Sequence, residues 1–230
     1  PRSWAARRPI DFWTQSSVRH EGLSTRALPD NVPAIEYMIE IANVLKIDPW
    51  FNMPHIYEEG YITSFAQLVK EKLDPSLNVW VEFSNELWNS GYRQNWWINE
   101  RLIDGSPQKT VAYYSKEVWD NWLAVFGDES HRVIRVLAGQ HANASYVKDG
   151  LEYLSDKGGA DVASVAGYIG ANDPSYFGST EELINRQFME LSGEMGWHLE
   201  GWYDNMRYAS QHDVPLTCYE AGQHLLGRQV

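Results

Sequence analysis

Two glutamates, each placed at the end of a predicted β-strand, are the residues in this sequence best suited to chemistry. Glu86 follows the apolar run NVWVEFS, and Glu220 ends the run PLTCYE. Parallel sheets present their ligand-binding groups at the carboxyl ends of the strands, so both acids are expected at one edge. Two carboxyl groups that flank one cavity suit glycoside hydrolysis, in which one protonates the leaving oxygen and the other attacks the anomeric carbon.

The elements that must position these acids are strands and helices in alternation. Apolar runs predict strands at 46–53, 78–84, 132–138, 162–169 and 215–220. Helical spacing predicts helices near 35–45, 62–73, 111–125 and 146–154, and from 179 to about 211 with a break near Gly196. Residues 1–32 and 88–108 are expected to be long loops. Strands separated by helices imply parallel βαβ units, hence one α/β domain over residues 1–230, but periodicity leaves both a doubly wound sheet and a (β/α) barrel open.

The composition limits the classes of function. The chain has 31 acidic and 19 basic side chains, for a net charge of −12. This acidity argues against a nucleic-acid partner, because phosphate binding needs a clustered basic surface. No apolar run approaches the roughly 20 residues of a membrane span, so no membrane partner is expected. The single cysteine excludes a disulfide framework, while 11 Trp and 13 Tyr are enough to line a groove for a ligand with flat apolar faces.

The runs around the two glutamates resemble the catalytic motifs of the retaining glycoside hydrolases of clan A. VEFSNELWN is similar to the end of their fourth barrel strand, where an Asn-Glu pair supplies the general acid/base, and CYEAGQH is similar to the end of the seventh, which carries the nucleophile. The resemblance implies that Glu86 is the acid/base, Glu220 the nucleophile and Asn85 a donor to the sugar 2-hydroxyl. It also implies that Tyr168, late on the sixth strand, hydrogen-bonds the nucleophile. The motifs fit families such as 5 and 39 without choosing between them.

By the same resemblance, the fold is a (β/α)8 TIM-type barrel that is incomplete in this chain. The predicted strands become the third to the seventh of the barrel, and strands one, two and eight have no sequence here. Because a closed barrel has no edges, we expect two unpaired edges here. The chain is then either a fragment of a longer enzyme or is completed by another chain, and the open edges are where it would self-associate. The implied substrate is a β-linked oligo- or polysaccharide, the implied cofactor is none, and the implied location is secreted.

Two other interpretations remain open. A barrel remnant that keeps aromatic sugar contacts would bind carbohydrate, or serve a structural role, without hydrolysing its ligand. Assays for binding and for hydrolysis would separate this module from an enzyme. A doubly wound binding protein is disfavoured, because the sequence contains neither G-x-G-x-x-G nor G-x-x-x-x-G-K-[ST], the usual phosphate-binding loops.

Three further residues are candidates for binding the sugar. His55 follows the first predicted strand, His141 follows the third, and Trp88 comes just after the acid/base. Each is expected near the same edge of the sheet, where a histidine would hydrogen-bond a hydroxyl and a tryptophan would stack on the apolar face of a ring. Local packing is the alternative for each. The histidine spacing has no H-x-x-x-H pattern, so no metal site is predicted.

Two charges inside otherwise apolar strands predict an ion pair. A buried charge costs several kcal/mol unless it is paired, and Glu82 and Arg135 lie on neighbouring strands. Glu82 shares parity with Glu86, so it is expected to point into the barrel below the site. Cys218 is expected to be a small buried residue rather than a nucleophile. Four tryptophans on predicted strands and helices are expected in the core: Trp50, Trp80, Trp119 and Trp122.

Overall fold

The computed structural model describes residues 35–169, 178–193 and 196–223, so the predicted loop 1–32 lies outside the described residues. The helices are α1 (Ile35–Leu45), α2 (Tyr61–Lys72), α3 (Arg93–Asn99), α4 (Pro107–Phe126), α5 (Ser145–Leu154), α6 (Thr180–Gly193) and α7 (Gly196–Ser210). The strands are β1 (Trp50–Met53), β2 (Val79–Phe83), β3 (Val133–Ala138), β4 (Val162–Ile169) and β5 (Leu216–Gln223). Within the described ranges, no helix is both long and apolar enough to span a bilayer.

The five strands form one parallel sheet in the order β1-β2-β3-β4-β5. This order follows the chain without the reversal that marks the switch point of a doubly wound sheet. Phe51 pairs in register with Val81, and Asn52 pairs with Glu82, so successive side chains alternate between two faces. We call the face that carries Phe51 and Val81 the helix face, and the face that carries Asn52 and Glu82 the cavity face.

The helix face packs against the helices as a dry core. Phe51 is 3 % exposed and Val81 is fully buried, while Trp119 and Trp122 of α4 cover them at 1 % and 0 % exposure. The Trp119 indole also donates to the carbonyl of Val81 at 3.0 Å, which satisfies its only polar group. Full burial of a large apolar side chain contributes roughly 1.5–3 kcal/mol, so much of the stability of the fold lies on this face.

The signals at the ends of α4 show why these residues form a helix. Ser106 caps its first turn by accepting a hydrogen bond from the Lys109 N–H at 3.2 Å, and Pro107 occupies the first helical position. The helix ends at Gly127, whose φ of 56° a residue with a side chain rarely adopts. Trp122, about one turn before the end of this capped helix, packs against the sheet, with its ring centroid 6.4 Å from that of Phe51.

Most predicted elements are confirmed, but the predicted loop 88–108 is wrong in part. It contains α3, whose buried face includes the polar residues Gln94 and Asn95, so the spacing of apolar residues does not reveal it. β1 begins only at Trp50, because Lys46 turns the chain with a φ of 54° after α1. The predicted break near Gly196 falls beside residues 194–195, which lie outside the described residues, and α7 begins at Gly196.

The predicted ion pair between Glu82 and Arg135 is wrong. Arg135 pairs in register with Val81 and therefore lies on the helix face, whereas Glu82 lies on the cavity face. The Arg135 guanidinium binds Asp161 instead, with 2.7 Å between Nη2 and Oδ1. Residues one register position apart on neighbouring strands project to opposite faces, so proximity along the sheet does not bring these charges together.

Candidate active site

A cavity of about 230 Å³ opens on the cavity face, at the carboxyl ends of the strands. Its lining residues come from β1, β2, the loop after β2, and β5: Trp50, Asn52, Glu82, Asn85, Tyr219 and Glu220. β1 and β5 are the first and last strands of the sheet. In a flat sheet of five strands they would lie about 19 Å apart. The sheet therefore curls around this cavity.

The backbone after β2 turns sharply to position the first candidate pair of residues. Ser84 and Glu86 adopt φ values of 60° and 45°, a left-handed conformation that costs a non-glycine residue about 1 kcal/mol or more. Donors from two other elements hold this turn. Asn52 Nδ2 donates to the Ser84 carbonyl at 2.7 Å, and Gln94 Nε2 donates to the Asn85 carbonyl at 2.8 Å. Strain that is held by surrounding bonds is a feature of functional sites.

Glu86 is buried beside the cavity, with 8 % of its surface exposed, and is not one of the lining residues. Asn89 Nδ2 donates to its Oε2 at 3.0 Å. The charge of Glu86 raises the pKa of Glu82 and that of Tyr219, which both line the cavity. The carboxylate of Glu86 therefore lies within electrostatic reach of the cavity, and its neighbour Asn85 lines it.

A bulge in β5 directs two consecutive side chains into the cavity. Val165 pairs in register with Cys218 and Ala166 pairs with Glu220, so Tyr219 is the extra residue. Tyr219 and Glu220 both line the cavity. Cys218 is exposed, so the expectation that it is a buried core residue is wrong. The strand pattern did not predict this bulge, which reverses the parity of residues on either side of it.

Tyr168 of β4 contacts the second glutamate. Its hydroxyl donates a hydrogen bond to Oε2 of Glu220. In register, Tyr168 pairs with Gly222, two positions beyond Glu220 on the neighbouring strand. A donor from β4 thus orients the Glu220 carboxylate, and its role in catalysis stays a prediction.

Glu82 is a third carboxyl group in this region, and it is held neutral. It is 2 % exposed, and burial raises its pKa to about 8, with smaller upward contributions from the charges of Glu220 and Glu86. The hydrogen bond from Trp50 and the nearby amide of Asn52 act in the opposite direction but do not offset the burial. Glu82 is therefore protonated at neutral pH, which spares the cavity a further negative charge.

The two histidines predicted to bind sugar pack against helices. His55 is 4 % exposed and meets Trp97 of α3 edge-on, with 5.8 Å between ring centroids. Its burial, and secondarily the charge of Arg101, lowers the pKa of His55 to about 4. His141 is also buried and meets Trp202 of α7 edge-on at 5.4 Å. Neither histidine lines the cavity, and their binding roles stay predictions.

Trp88 lies near the cavity without lining it. Its side chain is half-buried, and its indole acts on Tyr219 by lowering the pKa that burial and the nearby acids raise. Trp88 is therefore close enough to the site to contact a ligand larger than the cavity. Its stacking on a sugar stays a prediction.

Three residues that line the cavity were not predicted from the sequence to do so: Trp50, Asn52 and Tyr219. Trp50 was expected in the core with Trp80, but both are half-buried on the cavity face, where their rings stack with centroids 5.2 Å apart. The alternation along β1 could have predicted Trp50 and Asn52, because they alternate with the buried apolar residues Phe51 and Met53. Tyr219 had no such signal, because only the bulge turns it inward.

Neither a metal site nor a match to known proteins helps to identify the function of this cavity. Among the described residues, no group of three or more His, Cys, Asp or Glu side chains could hold a metal ion. No protein-family model matches the chain, and a search of curated proteins finds no match. A function for this chain must therefore be argued from the geometry of the cavity.

Proposed function

We propose that this protein is a retaining glycoside hydrolase that cleaves β-linked glycosides. The observation that carries the proposal is the cavity at the carboxyl ends of the strands, which Glu220 and Asn85 line and which Glu86 reaches electrostatically. Two carboxyl groups at one cavity are what double-displacement hydrolysis requires. The motifs VEFSNELWN and CYEAGQH, which resemble those of clan A, contain these same residues.

The proposed fold is a (β/α)8 barrel in which β1 to β5 are the third to the seventh strands. The sequential parallel order supports it, and so do the helices packed against a single face of the sheet. The curvature that brings β1 and β5 to one cavity is of the kind that closes a barrel. In barrels of this type, active sites lie at the carboxyl ends of the strands.

The proposed mechanism has two steps. The Glu220 carboxylate attacks the anomeric carbon and displaces the leaving group, while Glu86 donates a proton to the departing oxygen. The now ionised Glu86 then takes a proton from water, which hydrolyses the glycosyl ester on Glu220. Tyr168 orients the nucleophile through its hydrogen bond, and Asn85 is placed in the lining to contact the sugar.

The proposed substrate is a β-linked oligo- or polysaccharide, as for cellulases and β-glucanases. The cavity of about 230 Å³ is smaller than the roughly 300–1,000 Å³ of pockets for drug-sized ligands, so it suits one sugar ring. Trp50 offers an aromatic surface in the lining. Secretion fits an enzyme that degrades polysaccharides, and it forms part of this proposal.

The test is chemical rescue of the two glutamates. Aryl β-glycosides and soluble β-glucans would be assayed with the wild type, Glu220→Ala and Glu86→Ala, each with and without azide. Each variant should lose at least about 10³-fold in turnover. Azide should restore aryl-glycoside cleavage in both, giving an α-glycosyl azide with Glu220→Ala and a β-glycosyl azide with Glu86→Ala.

The stereochemistry of rescue assigns the roles. If the products are exchanged between the two variants, the roles of Glu86 and Glu220 are reversed. Wild-type protein that binds β-glucan without hydrolysing it is instead a carbohydrate-binding module, and the enzyme proposal fails. An anomeric product of opposite configuration to the substrate would also contradict a retaining mechanism.

A further inference from the structure

A buried carboxyl group inside the cavity has no role in the two-step mechanism. Glu82 lines the cavity from within β2, whereas Asn85 follows the end of that strand. Glu82 Oε2 accepts a hydrogen bond from Trp50 Nε1 at 2.9 Å. Glu82 Oε1 is buried and has no hydrogen-bond partner among the described residues. One oxygen of this side chain is therefore satisfied, and the other is left to a ligand.

The surroundings of Glu82 determine which oxygen carries its proton. The charged groups that face it are acidic, Glu220 from β5 and Glu86 from the loop after β2, and both oppose a further negative charge. β1 contributes only the uncharged donors Trp50 and Asn52. An indole N–H can donate but cannot accept, so Oε2 must remain an acceptor and the proton belongs on Oε1.

We propose that neutral Glu82 binds the substrate by donating a hydrogen bond from Oε1–H to a hydroxyl oxygen of the sugar held against Glu220. This inference rests on the proposed function, because it names the contact that the same cavity makes with its substrate. A buried donor without a partner is unfavourable, and a sugar hydroxyl supplies the acceptor that the described residues lack. An ionised carboxylate could only accept, so the neutral acid selects a different set of substrate atoms.

The neutral state can be tested without any substrate. In protein labelled with ¹³C at the Glu side-chain carboxyls, one resonance should titrate near pH 8, far above the others. Its absence from Glu82→Gln would assign it to Glu82. A Glu82 resonance that titrates near pH 4 overturns the inference, whatever the hydrolysis assays show.

The contact is tested by kinetics on the best substrate of a panel of p-nitrophenyl β-glycosides of glucose, xylose, mannose and cellobiose. Glu82→Leu removes the donor while keeping the side chain's bulk, and it should raise KM about 10- to 100-fold at pH 6.5. Glu82→Gln restores an N–H donor and should keep KM within about threefold of the wild type. Ser164→Ala is the matched control and should keep the wild-type KM, because Ser164 Oγ is also buried without a hydrogen-bond partner in the described part of the chain but lies outside the cavity lining.

The outcomes separate this inference from the proposed function. If glycosides are hydrolysed and Glu82→Leu keeps the wild-type KM, the inference fails and the hydrolase stands. If Glu82→Leu is unfolded, the Glu82→Gln value and the movement of the Glu82 resonance when product sugar is added decide the question. If no glycoside is bound or hydrolysed by folded wild-type protein, the hydrolase proposal fails and the substrate contact fails with it.

Discussion

The two faces of the same sheet are specialised for different tasks. On β1, Phe51 of the helix face is 3 % exposed and packs in an apolar core, whereas its neighbour Asn52 lines the cavity and donates to the loop after β2. On β2, Val81 is fully buried beside Glu82, a neutral acid. A shift of one residue along a strand thus separates stability from chemistry, and substitutions on the two faces should have different effects.

The sharpest test of this comparison replaces one tryptophan on each side. Trp122→Ala on α4 should lower the free energy of unfolding by about 3–5 kcal/mol, because the side chain is fully buried against the helix face. Trp80→Ala on the cavity face should cost less than half as much, because Trp80 is only half-buried. Urea denaturation measures both. Equal losses would show that the cavity face contributes to stability as much as the helix face.

The acid dependence of stability tests whether His55, two residues after β1, is buried against α3 rather than exposed to the cavity. The His55 pKa of about 4 in the folded protein lies below the ordinary value of about 6.5, so between these pH values only the unfolded chain binds the proton. The free energy of unfolding should therefore fall as the pH drops from 6.5 to 4, by roughly 3 kcal/mol in all, with no effect above pH 6.5. In His55→Gln this contribution should vanish. An unchanged acid dependence in the variant would assign it to other groups.

A substitution of Gln94 tests whether the hydrogen bond from α3 to the Asn85 carbonyl is needed to hold the loop after β2. Gln94→Leu removes the donor to the Asn85 carbonyl and leaves a buried acceptor, which should cost about 1–3 kcal/mol and reduce turnover. Arg93→Ala, an exposed substitution on the same helix, is the control and should change stability by less than about 0.5 kcal/mol. Gln94→Leu with wild-type turnover would mean that the strained backbone of Ser84 and Glu86 needs no such support.

The smallest effect is expected from Tyr168→Phe. Loss of the hydrogen bond to Glu220 should lower kcat/KM about tenfold while changing stability by less than about 1 kcal/mol. Tyr113→Phe is the matched control, because the Tyr113 hydroxyl donates to Glu117 at 2.7 Å on α4, outside the cavity lining. If the two variants have the same kcat/KM, the Tyr168 hydroxyl has no role in catalysis.

The predictability of the site differs between its two halves. Asn85 and Glu86 follow a short apolar strand, and the bonds that hold their loop come partly from nearby residues such as Asn89 and Gln94, so a local motif identifies them. The environment of Glu220 depends on Tyr168, far away in sequence, and on a bulge that no local pattern marks. The wrong prediction of a Glu82–Arg135 ion pair has the same origin. The faces on which these two side chains lie depend on the register between β2 and β3, which a local sequence pattern does not show.

The sequence by itself determined the alternation of strands and helices and placed both glutamates on or just after predicted strands, since these features follow from local propensity and periodicity. Only the tertiary structure decided that β1 and β5 meet at one cavity, that the bulge turns Tyr219 inward and that Glu82 is neutral. Curvature, register and desolvation arise from contacts between distant segments, and no single segment of sequence encodes them.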